Sequence, residues 1–293
     1  MKLGHFYQKA IEFGKELDPR GKSRVSSFED TAVLFGSPDA EVKKIMVGID
    51  IDGSELLVAD RLRKERGLDL VISHHPQGRA SAAFYKVMRL QVEMLEAVGV
   101  SRGVAEELLK ERMSEVERRV ISANHMRTVD IARLLNIPFM CLHTPADNHV
   151  SHFLNKLLKK EDPKRLSDIV EILSQIPEYK EAARDNAGPR IICGNPNRPV
   201  GKIFVEMTGG TEGHREVYGK LYKLGVRTLV SMHLSEEHFK KVRDADLNVV
   251  IAGHISSDTL GLNILLDRLE NGIRMEVFNC AGFRRVRRGR LKR

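Results

Sequence analysis

The sequence predicts an α/β protein: two related strand–helix–strand lobes with mixed sheets flanked by helices, and a helical insertion in the first. Three observations carry this. Short apolar runs of strand length alternate with segments of helical period. The segments 36–75 and 194–233 align without a gap. Several of the apolar runs deliver histidine and aspartate at their C-terminal ends, where sites assemble in open α/β sheets.

Residues 2–17 form a first helix with Phe6, Ala10, Phe13 and Leu17 on one face, ended by Asp18-Pro19-Arg20-Gly21. Thr31–Phe35 is a short strand and Lys44–Asp50 a buried one. Ser54–Arg66 reads as a helix with Leu56, Leu57, Ala59 and Leu62 inward, closed by Gly67. Leu68–Ile72 is the next strand, and Pro76 stops it because proline cannot continue a central ladder. From about 78 to 136 the pattern is helical, in three pieces: one around Phe84–Val98 stopped near Gly99, then Val104–Val120, then Val129–Leu135. Phe139–Leu142 is a buried strand ending in a turn, His143 to Asn148, before helices at Val150–Leu158 and Leu166–Ile176. Arg190–Cys193 opens the second lobe; Leu247–Ala252 is a strand, Thr259–Leu269 a helix and Ile273–Phe278 the last strand. The expected organisation is a first lobe over 1–150, a helical connector over 151–189, a second lobe over 190–283 and a basic tail over 284–293.

The second lobe repeats the first at an offset of 158 residues. Gly36 faces Gly194, Pro38 faces Pro196, Val42 faces Val200, Gly67 faces Gly225, and Ser73 and His75 face Ser231 and His233. Such a register points to an internal duplication. Met232 stands opposite His74, so the paired histidine belongs to one half alone.

The chain has 293 residues, 42% hydrophobic and 30% charged, as expected of a globular protein with a large core. No apolar run approaches the roughly eighteen residues of a membrane span, so no membrane partner is expected, and the N-terminus has no signal-like apolar stretch. Cys141, Cys193 and Cys280 are scattered and lack a C-x-x-C pair, fitting a reducing, cytoplasmic location. The net charge of +8 is local: seven basic residues in 284–293 account for all but one of it. That tail could touch nucleic acid, although a solvated end explains it as well, and the near-neutral body argues against a nucleic-acid-binding protein.

Ile72-Ser73-His74-His75-Pro76 is the stretch around which the chemistry gathers. Taken alone, an His-His pair also reads as one satisfied histidine at a sheet edge beside an exposed one. His143 and Asp147, then His254 and Asp258, follow two other strands. His254 and Asp258 are four apart at a helix start and share a face. Imidazoles with two carboxylates suit Mn, Fe, Co, Ni or Zn. Carboxylates among several histidines also permit bridging of two ions about 3.5–4 Å apart, an arrangement that activates water for hydrolysis.

At these residues the chain resembles the Nif-three-like dinuclear metal-binding family, whose members are also known as GTP cyclohydrolase I type 2 homologues. The carriers are Ile72-Ser73-His74-His75-Pro76, His143-Thr144-Pro145-Ala146-Asp147, Met207-Thr208-Gly209-Gly210-Thr211 and Gly253-His254-Ile255-Ser256-Ser257-Asp258. The resemblance implies His74, His75, Asp147, His254 and Asp258 as ligands of two divalent ions, with His143 beside them orienting a ligand or water. It further implies a ring-shaped homohexamer and a metal-dependent hydrolase acting on a nucleotide or phosphorylated small molecule. A non-catalytic metal-binding scaffold or regulatory partner is the alternative. Three departures stand out: Asp258 where the family has Glu, Ser231-Met232-His233 in place of a Thr-Gly-Glu turn, and the long helical segment after His-His-Pro, a possible lid or assembly contact. His233 and His238 are expected at the surface or around the site. Gly209-Gly210 reads either as a helix-opening anion turn or as a tight connection. Asp50 and Asp52 read either as cavity bases or as caps.

Overall fold

The computed structural model describes residues 1–270 and 274–288. From the N-terminus the elements are α1 (Leu3–Lys15), β1 (Ala32–Phe35), β2 (Lys44–Gly48), α2 (Gly53–Arg66) and β3 (Leu70–Ser73). Then come α3 (Gly78–Ala82), α4 (Gln91–Val98), α5 (Arg102–Val120), α6 (Arg127–Leu134), β4 (Phe139–Cys141) and α7 (Thr144–Glu161). They are followed by α8 (Leu166–Ser174), α9 (Pro177–Arg184), β5 (Arg190–Cys193), β6 (Lys202–Glu206) and α10 (Val217–Lys223). The last are β7 (Val226–Ser231), α11 (Glu236–Asp244), β8 (Asn248–Ile251), α12 (His254–Leu269) and β9 (Glu276–Asn279).

The chain divides into two units, one of Met1–Val87, Glu115–His149 and the part from Asp258 onward, the other of Met88–Ser114 and Val150–Ser257. The first unit holds a five-stranded mixed sheet in the order β1-β4-β3-β2-β9, in which only β1 runs antiparallel to its neighbour. Successive side chains of a strand point to opposite faces, and both faces here are buried. Ile45, Val47, Leu70, Ile72 and Met140 pack with Leu3 and Phe6 of α1 and Leu262, Leu265 and Leu266 of α12. On the other face Met46, Val71, Phe139 and Cys141 pack with Leu56 and Ala59 of α2 and Val129 and Ala132 of α6. A sheet covered on both sides reads as continuous apolar runs, which is why Ile45–Val47 and Leu70–Ile72 show no polar alternation in the sequence.

The second unit holds a four-stranded mixed sheet in the order β5-β8-β7-β6, with β5 antiparallel to β8. Its topology repeats that of β1-β4-β3-β2, down to one irregularity: the register slips between Val33 and Phe35 in β1, and between Ile191 and Cys193 in β5. Cys141 and Ile251 hold the same place opposite Ala32 and Arg190. Carried on, the correspondence pairs His143 with Gly253 and Thr144 with His254, the first residues of α7 and α12. The duplication is therefore present in the backbone as well as in the sequence.

Several expectations need correction. Leu57, expected inward, is 63% exposed, because at 100° per residue the stripe through Leu56 and Ala59 turns it outward. The helix expected around Phe84–Val98 is a 3₁₀ segment at Phe84–Leu90 followed by α4, and α9 is a helix of its own, begun by Pro177. α7 starts at Thr144 rather than Val150, so Asp147 lies in its first turn instead of a preceding loop. Proline is tolerated there, and Asp30 accepts from the Thr144 N–H, which a proline-based stop signal does not anticipate. α12 likewise begins at His254 rather than Thr259, with the Ser257 N–H returning to the Gly253 carbonyl. No helix opens at Gly209-Gly210: the chain is irregular until α10 at Val217. Gly209 has φ +106°, and a Cβ there would stand 2.7 Å from Gln91 Cγ.

The beginning of the basic tail is packed rather than loose. Arg285 pairs with Asp267 at 2.5 Å and Glu270 at 3.1 Å, and Arg287 pairs with Glu270 at 3.0 Å. The remainder of the tail, including Arg290, Lys292 and Arg293, and the expected strand start at Ile273 lie outside the described residues. Among the described residues no helix is long and apolar enough to cross a membrane.

Candidate metal centre

The His-His pair is set by the way β3 ends. The N–H groups of His74 and His75 continue the parallel ladder to the carbonyls of Gly48 and Ile49. Ser73 Oγ lies 3.3 Å from the Ile49 carbonyl and 2.8 Å from that of His75, folding the chain over just past the strand. Both imidazoles then turn to one side, with ring centroids 5.4 Å apart. The His143 ring, directly after β4, stands 4.8 Å from that of His74.

Each of the three rings is fixed through Nδ1. His74 Nδ1 lies 2.9 Å from the Leu142 carbonyl, His75 Nδ1 2.7 Å from Asp50 Oδ1, and His143 Nδ1 2.7 Å from Asp30 Oδ2. A carbonyl or carboxylate oxygen accepts, so Nδ1 carries the hydrogen and the Nε2 lone pair is left for another partner. That is how histidines are oriented at metal sites.

The carboxylates come from the first turns of two corresponding helices. Asp147 Oδ1 is 3.4 Å from His74 Nε2. Asp258 presents one oxygen to each histidine: Oδ1 is 3.4 Å from His74 Nε2, and Oδ2 is 3.4 Å from His75 Nε2. Asp147, Asp258, His74 and His143 are buried, while the His75 side chain keeps 25% of its exposure. Donor atoms of His74, His75 and His143 fall within 4.8 Å of one another, and so do those of His74, Asp147 and Asp258. His74 Nε2 and Asp147 Oδ1 have no hydrogen-bond partner. Buried polar atoms are nearly always satisfied, and a donor set of this chemistry fits a transition-metal ion between them.

The charges agree. Burial pushes His74 down, but the carboxylates of Asp258 and Asp147 outweigh it and raise the imidazole to about 10. Burial also lowers His75, and Asp258 and Asp50 carry it up to about 9 against the neighbouring His74. Without a metal, protons take the place of cations in this cluster.

The other expected residues sort as follows. His254 belongs to the second unit and opens α12, one turn before Asp258. Its ring lies 4.7 Å from that of His233, whose Nδ1 is 3.5 Å from Glu212 Oε1. Burial pushes Glu212 up, but His233, the Ser235 N–H and His238 hold its carboxyl at about 2. His238 is buried between Ser235 Oγ at 2.6 Å and the Gly213 carbonyl at 2.9 Å, a loop-fixing role. Asp50 orients His75, whereas Asp52 caps α2 in a capping box with Glu55.

Sequence reasoning missed Asp30 and Glu212. Asp30 is fully buried and meets His143 only because β1 pairs with β4. Glu212 sits on the glycine-rich loop, which Gln91 holds by donating to the carbonyls of Gly209 at 2.8 Å and Thr211 at 2.7 Å.

No protein-family model matches the sequence, and no curated protein does. Solved structures do. The crystal structure of a NIF3 superfamily protein from Sphaerobacter thermophilus is 31% identical, with a TM-score of 0.82 over 95% of this chain and 98% of that one. The chain belongs to the NIF3 superfamily. Two more distant structures share this NIF3 fold. Reduced HcgD from Methanocaldococcus jannaschii has a TM-score of 0.58 at 16% identity, over 95% of this chain and 97% of that one. TTHA1606 from Thermus thermophilus has 0.53 at 15%, over 99% and 100%.

Proposed function

We propose that this NIF3 superfamily protein is a dinuclear metal-dependent hydrolase of nucleotides or phosphorylated small molecules, in the manner of a GTP cyclohydrolase I type 2 homologue. The observation that carries the proposal is Asp258, whose two oxygens each face a different histidine at 3.4 Å. A carboxylate so placed is suited to span two ions, with His74, His75, Asp147 and His254 as the other ligands. Zinc, iron, manganese, cobalt or nickel all match the donor set. When bound, such a pair supplies Lewis acidity and an activated water at neutral pH. The chain's residues do the rest. Asp50 keeps the His75 lone pair directed inward. Phe84 packs edge-on against the His143 ring, with 5.5 Å between centroids. The partial exposure of His75 leaves an approach for substrate. The working form on this reading is a cytoplasmic homohexamer.

The test is a screen of nucleotides and phosphoesters with protein loaded with each metal in turn. Turnover that is lost on chelation and restored by metal is expected; turnover of another phosphoester without GTP would retain the hydrolase and remove the cyclohydrolase reading. A second reading, a metal-binding scaffold without turnover, is supported by the burial of His74, Asp147 and Asp258, which leaves His75 the part-exposed member of these four. Full metal occupancy with no turnover across the screen would decide for it.

A further inference from the structure

A carboxylate with no exposed surface is costly unless its lone pairs are used and its charge has a purpose. Asp30 is such a group. Its Oδ2 accepts from Thr144 Oγ1 at 2.6 Å, from His143 Nδ1 at 2.7 Å and from the Thr144 N–H at 3.3 Å, and its Oδ1 accepts from Thr31 Oγ1 at 3.3 Å. Thr31 Oγ1 in turn accepts the His143 N–H at 3.1 Å. His143 is thus held at both its backbone and its ring, with one nitrogen left to act.

The duplicated half serves as an internal control. Asp30 corresponds to Gly188 by the offset of 158, and His143 corresponds to Gly253 by strand register. Both members of the pair are missing there, yet β5 still pairs with β8, the register slip is kept, and α12 starts at the same place as α7. The fold of a half does not need the pair. His74, replaced by Met232, follows the same one-half pattern.

We infer that Asp30 and His143 form an additional arm of the metal centre, with His143 a further imidazole ligand and Asp30 the residue that aims it. The geometry matches that of His74 and His75: Nδ1 bonded to an oxygen at 2.7–2.9 Å, and a donor atom within the same 4.8 Å group. A carboxylate behind a ligating histidine fixes its tautomer and strengthens the donor nitrogen. Asp30 is therefore a positioning residue and touches no ion itself. The inference rests on the metal reading proposed above.

Cobalt titration of metal-free protein, followed by the visible d–d spectrum, separates the two. Wild type is expected to take up about two ions, His143→Ala to hold one of them weakly with an altered spectrum, and Asp30→Asn to keep the site with affinity lowered about 10- to 100-fold. Wild-type affinity and an unchanged spectrum in both variants would overturn the inference while leaving the metal reading standing. No cobalt uptake by wild type would remove both. Should His143→Ala fail to fold by circular dichroism, ¹H–¹⁵N histidine correlations of zinc-loaded wild type decide: a metal-shifted Nε2 on His143 supports the arm, and an unshifted one overturns it.

Discussion

His74 Nε2 and Asp147 Oδ1 face each other at 3.4 Å, both buried and neither in a hydrogen bond. Leaving such an atom unsatisfied costs about 1–3 kcal/mol, so the pair is suited to a third party between them, whose place a proton on His74 takes in the metal-free protein. Substituting either residue should remove that party. His74→Ala is expected to lower metal affinity by more than the roughly 10- to 100-fold seen on losing an outer partner, measured by metal analysis after dialysis. Asp147→Asn should do the same while keeping the side-chain volume.

The metal-free protein should respond to pH in the alkaline range. His74 is raised to about 10 and His75 to about 9 from 6.5, so both bind protons more tightly when folded. Their contribution is fully present below pH 6.5 and is lost as pH rises through 9 to 10. Chelator-treated protein is therefore expected to lose melting temperature over that window. Metal-loaded protein, whose ligands are already deprotonated, should lose much less. Scanning calorimetry of both forms across the range checks this.

Glu206 predicts the opposite benefit from removing a charge. Burial pushes its carboxyl up to about 7, only partly offset by the Gly213 N–H. The folded value lies above the ordinary 4.5, so its contribution is present below pH 4.5 and lost through about pH 7. Glu206→Gln stays neutral and should melt above wild type near about pH 8 and close to it at acid pH.

Gln91 ties α4 to the glycine-rich loop through two carbonyls. Gln91→Ala leaves those carbonyls without their donor and should cost about 1–3 kcal/mol. Hydrogen exchange should accelerate in the 207–213 segment first, and unchanged exchange there would rule out the clamp.

How much of this was legible beforehand follows from distance along the chain. His74 and His75 could be read because they end one strand, and Asp258 because it sits four residues after His254. The two-lobed α/β fold was legible through the gapless repeat. Asp30 was not, since its bond to His143 spans 113 residues and exists only through the β1–β4 pairing. The start of α7 was hidden for a related reason: Thr144-Pro145 reads as a turn until Asp30 is found accepting the Thr144 N–H. The run Leu56-Leu57-Val58 is apolar throughout, and only packing tells which side faces in. Arg285 looked like part of a loose basic end because its partners, Asp267 and Glu270, lie on the preceding helix.

The most direct test is anomalous scattering from crystals of protein purified without chelator, collected at the manganese, iron, cobalt, nickel and zinc edges. Two peaks within bonding distance of His74, His75, Asp147 and Asp258, with Asp258 between them, are the predicted result. No peak at any edge, in crystals grown with added metal as well, would contradict the account.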